Sequence, residues 1–264
     1  MNFRLFDFLR SIWKIEVKLK MIVMLTLLSA VGIYRQGNLE GFLQLLSAGL
    51  TAIVLDFVIQ YLKYGNKSFP KSALISGLIV GLVFSAGTDF IIIFIAAVVA
   101  ILSKHVLQLK KQHIFNPAGF GLLATGLIFG GQFAWWGESS TILVILLGLV
   151  VAYSFNRLGL VISYLAVKAL LVALYFLWMG WPVWNGILML NLFFAFVMVV
   201  EPRTSPYRPN TRIVYGGLAA ITTFLFLVFL PGYYPPLAGL LAANLFVPLL
   251  RRYHKQLKLP VVFL

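Results

Sequence analysis

The sequence predicts an all-helical integral membrane protein in which about ten transmembrane helices form two inverted five-helix repeats with short, broken helices. The first observation behind this fold class is composition, since 61% of the 264 residues are hydrophobic and only 11% are charged, with a mean hydropathy of +0.98. A soluble domain needs a polar exterior, so this balance excludes one. The other two observations are a series of apolar runs and a one-sided placement of cations.

Apolar runs separated by polar, proline or glycine residues occur ten times along the chain. Their ranges are 17–34, 39–64, 73–87, 89–107, 117–131, 141–154, 158–179, 184–200, 212–230 and 236–250. A helix needs about 20 apolar residues to cross the hydrocarbon core, and fewer when it is broken near the midplane. The runs divide into a first repeat at 17–131 and a second repeat at 141–250.

The two ends of the chain lie outside these repeats. Residues 1–16 mix large apolar side chains such as Phe6 and Trp13 with Arg and Lys, which is typical of an amphipathic helix in the membrane interface. The stretch lacks a small-residue cleavage site, so we do not expect a signal peptide. Residues 251–264 form a basic tail.

The formal charge of +14 reflects membrane topology. If ten segments alternate across the bilayer, 19 of the 21 Lys and Arg residues fall on one side, and only Arg35 and Lys168 do not. Cationic loops stay on the cytoplasmic side, so both termini are expected in the cytoplasm. This placement argues against a nucleic-acid partner and for the lipid bilayer as the chain's main environment.

The chain has no cysteine, which excludes disulfides and iron–sulfur clusters held by Cys ligands. Its three histidines are His105, His113 and His254. All three fall near predicted cytoplasmic ends, so a haem between paired histidines is not expected, and neither is a metal site. If the protein carries electrons, its cofactor should be organic.

Segments five and ten are similar in sequence. "PAGFGLLATGLIFG" (117–130) and "PLAGLLAANLFVPL" (236–249) share a Pro start and a Gly-Leu-Leu-Ala core. The third segment of each half is short and ends in small or polar residues. Five crossings per half would invert the second half relative to the first, and such repeats place a binding site near the midplane. Chance similarity between common membrane residues is the alternative.

Each half also carries one ionisable residue deep in its second helix, Asp56 in one and Lys168 in the other. An unpaired charge there costs at least a few kcal/mol. We predict a structural ion pair between Asp56 and Lys168 that joins the two repeats. A proton or ion relay is the alternative role.

An Asn-Pro pair begins segment five. Asn116 is a good N-cap, and Pro117 suits the first helical position. The unpaired amides of that first turn would attract an electron-rich oxygen, and Gly119 and Gly121 would let a flat ring approach the backbone. The alternative is that Asn-Pro only caps the helix and the glycines serve close helix packing.

Two stretches resemble a known family. "HIFNPAGFGLL" (113–123) is similar to the H/R-x-x-F-N-P-A-A-F motif of the RnfD/NqrB membrane subunits of Rnf complexes and of the sodium-pumping NADH:quinone oxidoreductase. "FFAFVMVVEPRTSPYRPNTRIVYGGLAA" (193–220) resembles that family's second motif, T-D-P-x-[ST]-[SA]-P, with Glu201 in place of Asp. The order and spacing of the motifs also agree.

The resemblance implies a scaffold similar to those of urea and ammonium transporters, in the cytoplasmic (inner) membrane of a prokaryote. It also implies flavin within the membrane, FMN or riboflavin, with quinone as another ligand, and redox partner subunits. The residues that it assigns to cofactor binding are His113, Phe115, Asn116, Pro117, Gly119, Glu201, Pro202, Thr204 and Ser205.

One departure from the family concerns flavin attachment. The family's pumps link FMN to the Thr of an S-G-A-T motif after segment five, whereas this chain has "WWGESST" (135–141) without that core. We therefore expect a non-covalent flavin rather than attachment at Ser140 or Thr141. Trp135 and Trp136 beside that position are either interface anchors or stacking partners for a flavin ring.

The motif around Glu201 has two interpretations. Near a flavin or quinone, the Glu201 carboxylate could accept an N–H hydrogen bond or take up a proton, while Thr204 and Ser205 donate to carbonyl oxygens. Alternatively, Glu201 pairs with Arg203 or Arg208 at the headgroup surface and Pro202 ends the helix.

Three functions are therefore open. The first is an RnfD/NqrB-like flavin protein that relays electrons between partners on or across the membrane. The second is a transporter or channel for a small solute or flavin on the same scaffold, and the third is a membrane anchor for other subunits. No nucleotide-binding fingerprint occurs in the sequence, so a stand-alone NADH dehydrogenase is not expected.

Overall fold

A computed structural model describes residues 15–36, 39–109 and 112–257. Most of the predicted interfacial helix at 1–16, the lysines at 110 and 111, and the end of the basic tail at 258–264 lie outside the described residues.

Nine α-helices and one short hairpin account for most of the described residues. The helices are α1 (Val17–Gln36), α2 (Leu39–Tyr64), α3 (Lys71–Val83), α4 (Phe90–Val106), α5 (Pro117–Phe129), α6 (Thr141–Ser154), α7 (Leu158–Trp178), α8 (Pro209–Phe229) and α9 (Pro235–Leu257). Strands β1 (Gln108–Leu109) and β2 (Gln112–His113) pair antiparallel before α5.

The helices have the lengths and composition of a membrane protein. Four are long and apolar enough to cross a bilayer, at Val17–Arg35, Leu39–Tyr64, Leu158–Trp178 and Pro209–Phe229. Four further apolar helices, α3 to α6, are shorter. The predicted helical membrane class is thus confirmed.

The eighth predicted segment, 184–200, is not an α-helix. It consists of a 3₁₀-helix at Val183–Met189 and a π-helical turn at Phe194–Met198. The Asn191 side chain accepts a hydrogen bond from the Phe194 amide at 2.6 Å, and the Glu138 carboxylate accepts one from the Leu192 amide at 2.9 Å. Side-chain oxygens thus accept hydrogen bonds from two backbone amides where the helix is interrupted. These bonds replace the ones that a continuous helix would provide.

Close helix packing depends on glycine at several crossings. A Cβ at Gly121 would lie 2.4 Å from the Ala96 carbonyl oxygen on α4, and one at Gly239 would lie 2.4 Å from Thr223 Cα on α8. These glycines let α5 and α9 pack against the helix that precedes each of them. For Gly121, the packing interpretation is therefore correct.

Cations from helices α1 and α9 and from the connection between α6 and α7 lie at one end of the helix bundle. Arg157 bonds to Ser205, Arg251 bonds to the carbonyls of Arg203 and Ser205, and Lys20 bonds to Ser154. Arg35, one of the two predicted exceptions, bonds instead to the Ser139 carbonyl in the loop after α5. We call the end of the bundle that carries Arg157, Arg251 and Lys20 the cationic end.

The predicted ion pair between Asp56 and Lys168 is wrong. Asp56 has 0% of its side chain exposed, and it pairs with Lys104 Nζ at 2.7 Å and His105 Nε2 at 2.6 Å. Lys168 lies over the Phe224 ring at 5.9 Å and pairs with no carboxylate among the described residues. Asp56 lies toward the end of α2 where α4 also ends, so the cations within its reach belong to its own half.

Candidate functional site

A cavity of about 290 Å³ lies near the cationic end, between α1, α3, the start of α5 and the turn after the π-helix. Asn116 and Pro117 of the first motif line it together with Glu201 and Pro202 of the second. Its apolar walls are formed by Met21, Ile75, Ile79, Phe155 and Val197. Residues 85 positions apart in the sequence thus form one mostly apolar chamber with a polar edge.

Asn116 fixes the start of α5 relative to its neighbours. It is 3% exposed, and its Oδ1 accepts the Gly119 amide at 2.9 Å, which confirms the predicted N-cap. Its Nδ2 donates to the Met198 carbonyl at the end of the π-helix at 3.1 Å. Its own amide donates to Oδ1 of Asn244 on α9 at 3.0 Å.

Fewer amides of the first turn are open than the sequence suggested. Pro117 has no N–H, Gly119 is capped by the Asn116 side chain, and the Phe120 amide bonds to the Asn116 carbonyl. Only the Ala118 amide makes no hydrogen bond with a described residue, and Ala118 lines the cavity. Gly119 instead packs toward Met198 and Asn116 and does not line the cavity.

The turn at 201–206 is folded by its own hydroxyl groups. Thr204 Oγ1 donates to Glu201 Oε2 at 3.0 Å, and Ser205 Oγ donates to the Glu201 carbonyl at 2.7 Å. Both hydroxyl residues are buried and neither lines the cavity. They hold Glu201 in place rather than face a ligand, contrary to the donor role that we expected for them.

Glu201 supplies the acidic group of the cavity. Burial raises its pKa to about 7, against the smaller lowering effects of the Thr204 hydrogen bond and the Arg203 charge. Its second carboxylate oxygen, Oε1, makes no hydrogen bond with any described residue. Among the described residues Glu201 forms no salt bridge with Arg203, although the Arg203 charge lies near enough to act on its pKa.

Two residues that the sequence reasoning missed support this turn. Arg157 Nη1 donates to Ser205 Oγ and to the Pro206 carbonyl, both at 2.6 Å. Asn244 Nδ2 donates to the Thr204 carbonyl at 3.2 Å and to Tyr215 Oη at 2.6 Å. A single amide in the otherwise apolar run 236–250 was the available sequence signal for Asn244.

His113 does not line the cavity but contacts Arg203, which does. Arg203 Nη1 is 2.9 Å from His113 Nε2, and because an arginine only donates, this ring nitrogen accepts and the imidazole is neutral. Burial, helped by the Arg203 charge, lowers the pKa of His113 to about 4, in keeping with that tautomer. Phe115 stacks on Phe120 at 5.6 Å and does not line the cavity.

The tryptophans lie at the other end of α5. This helix has 13 residues, about 20 Å at helical rise. Trp136 is buried and donates to the Gly81 carbonyl at 2.9 Å, and Trp135 packs edge-on against Phe194 at 5.9 Å. The structure therefore places Trp135 and Trp136, with Ser140 and Thr141 after them, away from the cavity.

The remaining cavity residues were not predicted as site residues, and Arg203 was named only as an alternative partner of Glu201. They are Lys18, Ser72, Ser76 and Arg203, together with the apolar wall residues. Lys18 and Ser72 lie at the starts of α1 and α3. Lys18 was assigned only to a membrane segment and to topology, and Ser72 falls just outside the predicted segment 73–87.

We predict that Glu201→Gln changes the pH dependence of stability. The folded pKa is about 7 and the ordinary value is 4.5, so the folded state holds this proton more tightly than the unfolded state. The resulting stabilisation is complete below pH 4.5 and is lost as the pH rises through 7. The melting temperature of the parent should therefore fall toward alkaline pH relative to Glu201→Gln.

Thermal unfolding in detergent is measured for the parent and for Glu201→Gln across this pH range. Subtracting one melting temperature from the other cancels the contributions of the other titratable groups. Glu40→Gln, an exposed carboxylate at the start of α2, is the matched control and should keep the parent profile. Parallel profiles for the parent and Glu201→Gln would contradict the assignment.

Comparison with known proteins agrees with the sequence motifs. Residues 12–141 match the model of the NQR2, RnfD, RnfE family, and this range contains the Asn116-Pro117 motif and all of α1 to α5. No curated protein matches the chain. The family consists of membrane electron-transport subunits that work in multisubunit complexes. Residues 12–141 of this integral membrane chain, just under half of its length, support its membership of the NQR2, RnfD, RnfE family.

Proposed function

We propose that this chain is an RnfD/NqrB-like electron-transfer subunit that binds a flavin non-covalently in the cavity and relays electrons between redox partner subunits. The observation that carries the proposal is that both family motifs line one chamber, Asn116 and Pro117 from one side and Glu201 and Pro202 from the other. Without this convergence, each motif would be only a helix end.

The size and the walls of the cavity support the ring system of a flavin as its ligand. Its volume of about 290 Å³ is near the lower end of ligand sites, which span about 300–1,000 Å³. The walls are apolar, as a planar aromatic ring requires. The Ala118 amide and Glu201 Oε1 are, respectively, a donor and an acceptor without partners among the described residues, and the edge of an isoalloxazine presents both kinds of group.

When bound, a flavin supplies one- and two-electron chemistry accompanied by proton uptake. The contribution of this chain is to orient the ring, exclude water and hold a proton. Because its pKa is about 7, Glu201 can hold or release a proton at Oε1 near neutral pH. Asn116 and the hydroxyls of Thr204 and Ser205 keep the two motifs in register.

The proposed scaffold is a pair of inverted repeats, and hydrogen bonds between α5 and α9 support it. The sequence similarity relates residue 121 to 239, an offset of 118, which makes Asn116 equivalent to Tyr234 and Gly126 equivalent to Asn244. The Asn116 amide bonds to Asn244, and the Tyr234 hydroxyl bonds to the Gly126 carbonyl. If each residue is replaced by its equivalent in the other repeat, the contact between residues 116 and 244 becomes the contact between residues 234 and 126. A two-fold axis between α5 and α9 requires this relation.

The cationic end is proposed to face the cytoplasm, as the positive-inside rule requires. The cavity lies near this end, because Lys18 and Arg203 line it. A redox partner on the cytoplasmic side would then reach the flavin over a short distance. The prokaryotic inner membrane and the cytoplasmic termini belong to the same proposal.

An absorption spectrum of the detergent-purified protein tests the proposal. We expect flavin bands, and acid denaturation should release intact flavin because no covalent link holds it. Chromatography of the released material separates FMN, riboflavin and quinone. A colourless protein that binds neither flavin and mediates solute flux in liposomes would favour the transporter instead.

A space-filling variant sharpens this test. Ile79 is buried in the cavity wall, so Ile79→Trp should fill the chamber and remove the flavin bands. Ile142→Trp adds the same ring at a position that is 73% exposed on α6 and should keep them. Size-exclusion chromatography of both variants separates a lost site from a lost fold.

A further inference from the structure

A second, larger chamber adjoins the cavity. It has a volume of about 770 Å³ and lies between the start of α1, the loop after α2 and the end of α4. We call it the polar basin. Lys18, Ser72 and Arg203 line both chambers, so the apolar cavity and the polar basin share one wall. A single ligand with an apolar head and a polar tail could occupy the two chambers together.

The charges around the polar basin leave an excess of cations. Lys71 pairs with Glu16, and Lys104 pairs with Asp56 at 2.7 Å, so these two cations are neutralised. His113 is neutral because its Nε2 accepts from Arg203. Lys18 and Arg203 form no salt bridge among the described residues, although Lys18 lies near Glu16 and Arg203 lies near Glu201.

Both of these cations line the wall that the two chambers share. Lys18 is half-buried and makes no hydrogen bond within the described chain. Ser72 accepts from Lys104 at 2.9 Å, and its own hydroxyl hydrogen has no acceptor among the described residues. Two cations and a hydroxyl donor at one place match a doubly charged phosphate monoester.

We infer that the polar basin binds the phosphate of FMN while the adjoining cavity holds the ring, so that the site selects FMN over riboflavin. This inference rests on the proposed flavin function. The two flavins differ only in the phosphate monoester at the end of the ribityl chain. The ribityl chain passes the wall that Lys18, Ser72 and Arg203 share, and its phosphate is held by these three residues.

The test compares FMN and riboflavin as probes. Each is titrated into flavin-depleted protein in a phosphate-free, non-ionic detergent, and quenching of flavin fluorescence gives the dissociation constant. Hydrogen bonds to charged groups predict that FMN binds roughly tenfold more tightly or better. Lys18→Gln should remove most of this preference by weakening FMN binding alone, and Arg203→Gln is a second variant with the same expected effect.

Lys67→Gln is the matched control, because Lys67 is exposed in the same loop that borders the polar basin but does not line it. It should leave both affinities unchanged. Excess inorganic phosphate should weaken the binding of FMN and not that of riboflavin. An equal effect on both would indicate a separate site for free phosphate or a lipid headgroup and would overturn the inference.

The failure of this inference is distinguishable from the failure of the proposed function. Equal affinities for the two flavins, or an equal loss for both in Lys18→Gln, would overturn phosphate recognition and leave flavin binding standing. Binding of neither flavin would overturn the proposed function itself. Size-exclusion profiles that match the parent show which variants are folded.

Discussion

Asp56→Asn is expected to destabilise the protein by about 3–5 kcal/mol, the usual effect of removing one partner of a buried ion pair. Asp56 accepts from Lys104, His105 and Gln60, and its side chain is 0% exposed. An asparagine keeps the shape but leaves the Lys104 ammonium buried without a carboxylate. Thermal unfolding in detergent should show the midpoint lowered by roughly 10 °C.

The double variant Asp56→Asn with Lys104→Met separates lost charge balance from lost shape. Removing both charges should recover most of the stability, because the uncompensated cation is gone. Glu16→Gln breaks the exposed pair with Lys71 and should cause no measurable loss. If Asp56→Asn unfolds at the parent temperature, the buried pair contributes no stability.

The positions of most helices could be predicted from hydrophobic runs. The predicted segments 39–64 and 141–154 coincide with α2 and α6. In lipid, every backbone group must be satisfied within the segment, so an apolar run of sufficient length has few alternatives to a helix. Sequence and structure therefore agree best where the chain faces lipid.

The segment at 184–200 could not be predicted because contacts with distant residues determine its conformation. Glu138, 54 residues before Leu192, accepts the amide of Leu192. Gly148 on α6 lies against Phe196, where a Cβ would come within 2.5 Å of the ring. Neither contact has a signal within the segment itself, whose apolar composition alone favours an ordinary helix.

At the site, too, features with a local sequence signal were predicted and features set by distant contacts were not. The family resemblance assigned both Asn116 and Glu201 to cofactor binding, and the structure places both on one cavity. Lys18 and Ser72 were missed because each lies at the start of a helix in a stretch whose composition indicates only the membrane boundary. Asp56 was assigned the wrong partner because hydropathy gives the depth of a residue along a helix but not the direction it faces.

Asn116→Ala should have the largest effect among variants at the site itself. It removes the N-cap on Gly119 and the donor to the Met198 carbonyl, both buried. An N-cap contributes about 1 kcal/mol, and a buried polar group left unsatisfied costs about 1–3 kcal/mol. We expect a loss of roughly 2–4 kcal/mol and a flavin content well below that of the parent, measured by thermal unfolding and absorbance.

Asn116→Asp separates the two bonds, because a carboxylate can still accept the Gly119 amide but cannot donate to Met198. If the bond to Met198 holds the π-helix and the turn at 201–206 against α5, Asn116→Asp should lose flavin nearly as fully as Asn116→Ala. Asn185→Ala, at an exposed asparagine in the 3₁₀-helix, should match the parent in both measurements. Full flavin content in Asn116→Ala would mean that the two motifs are held in register by other contacts, and that the α5 N-cap has no part in the site.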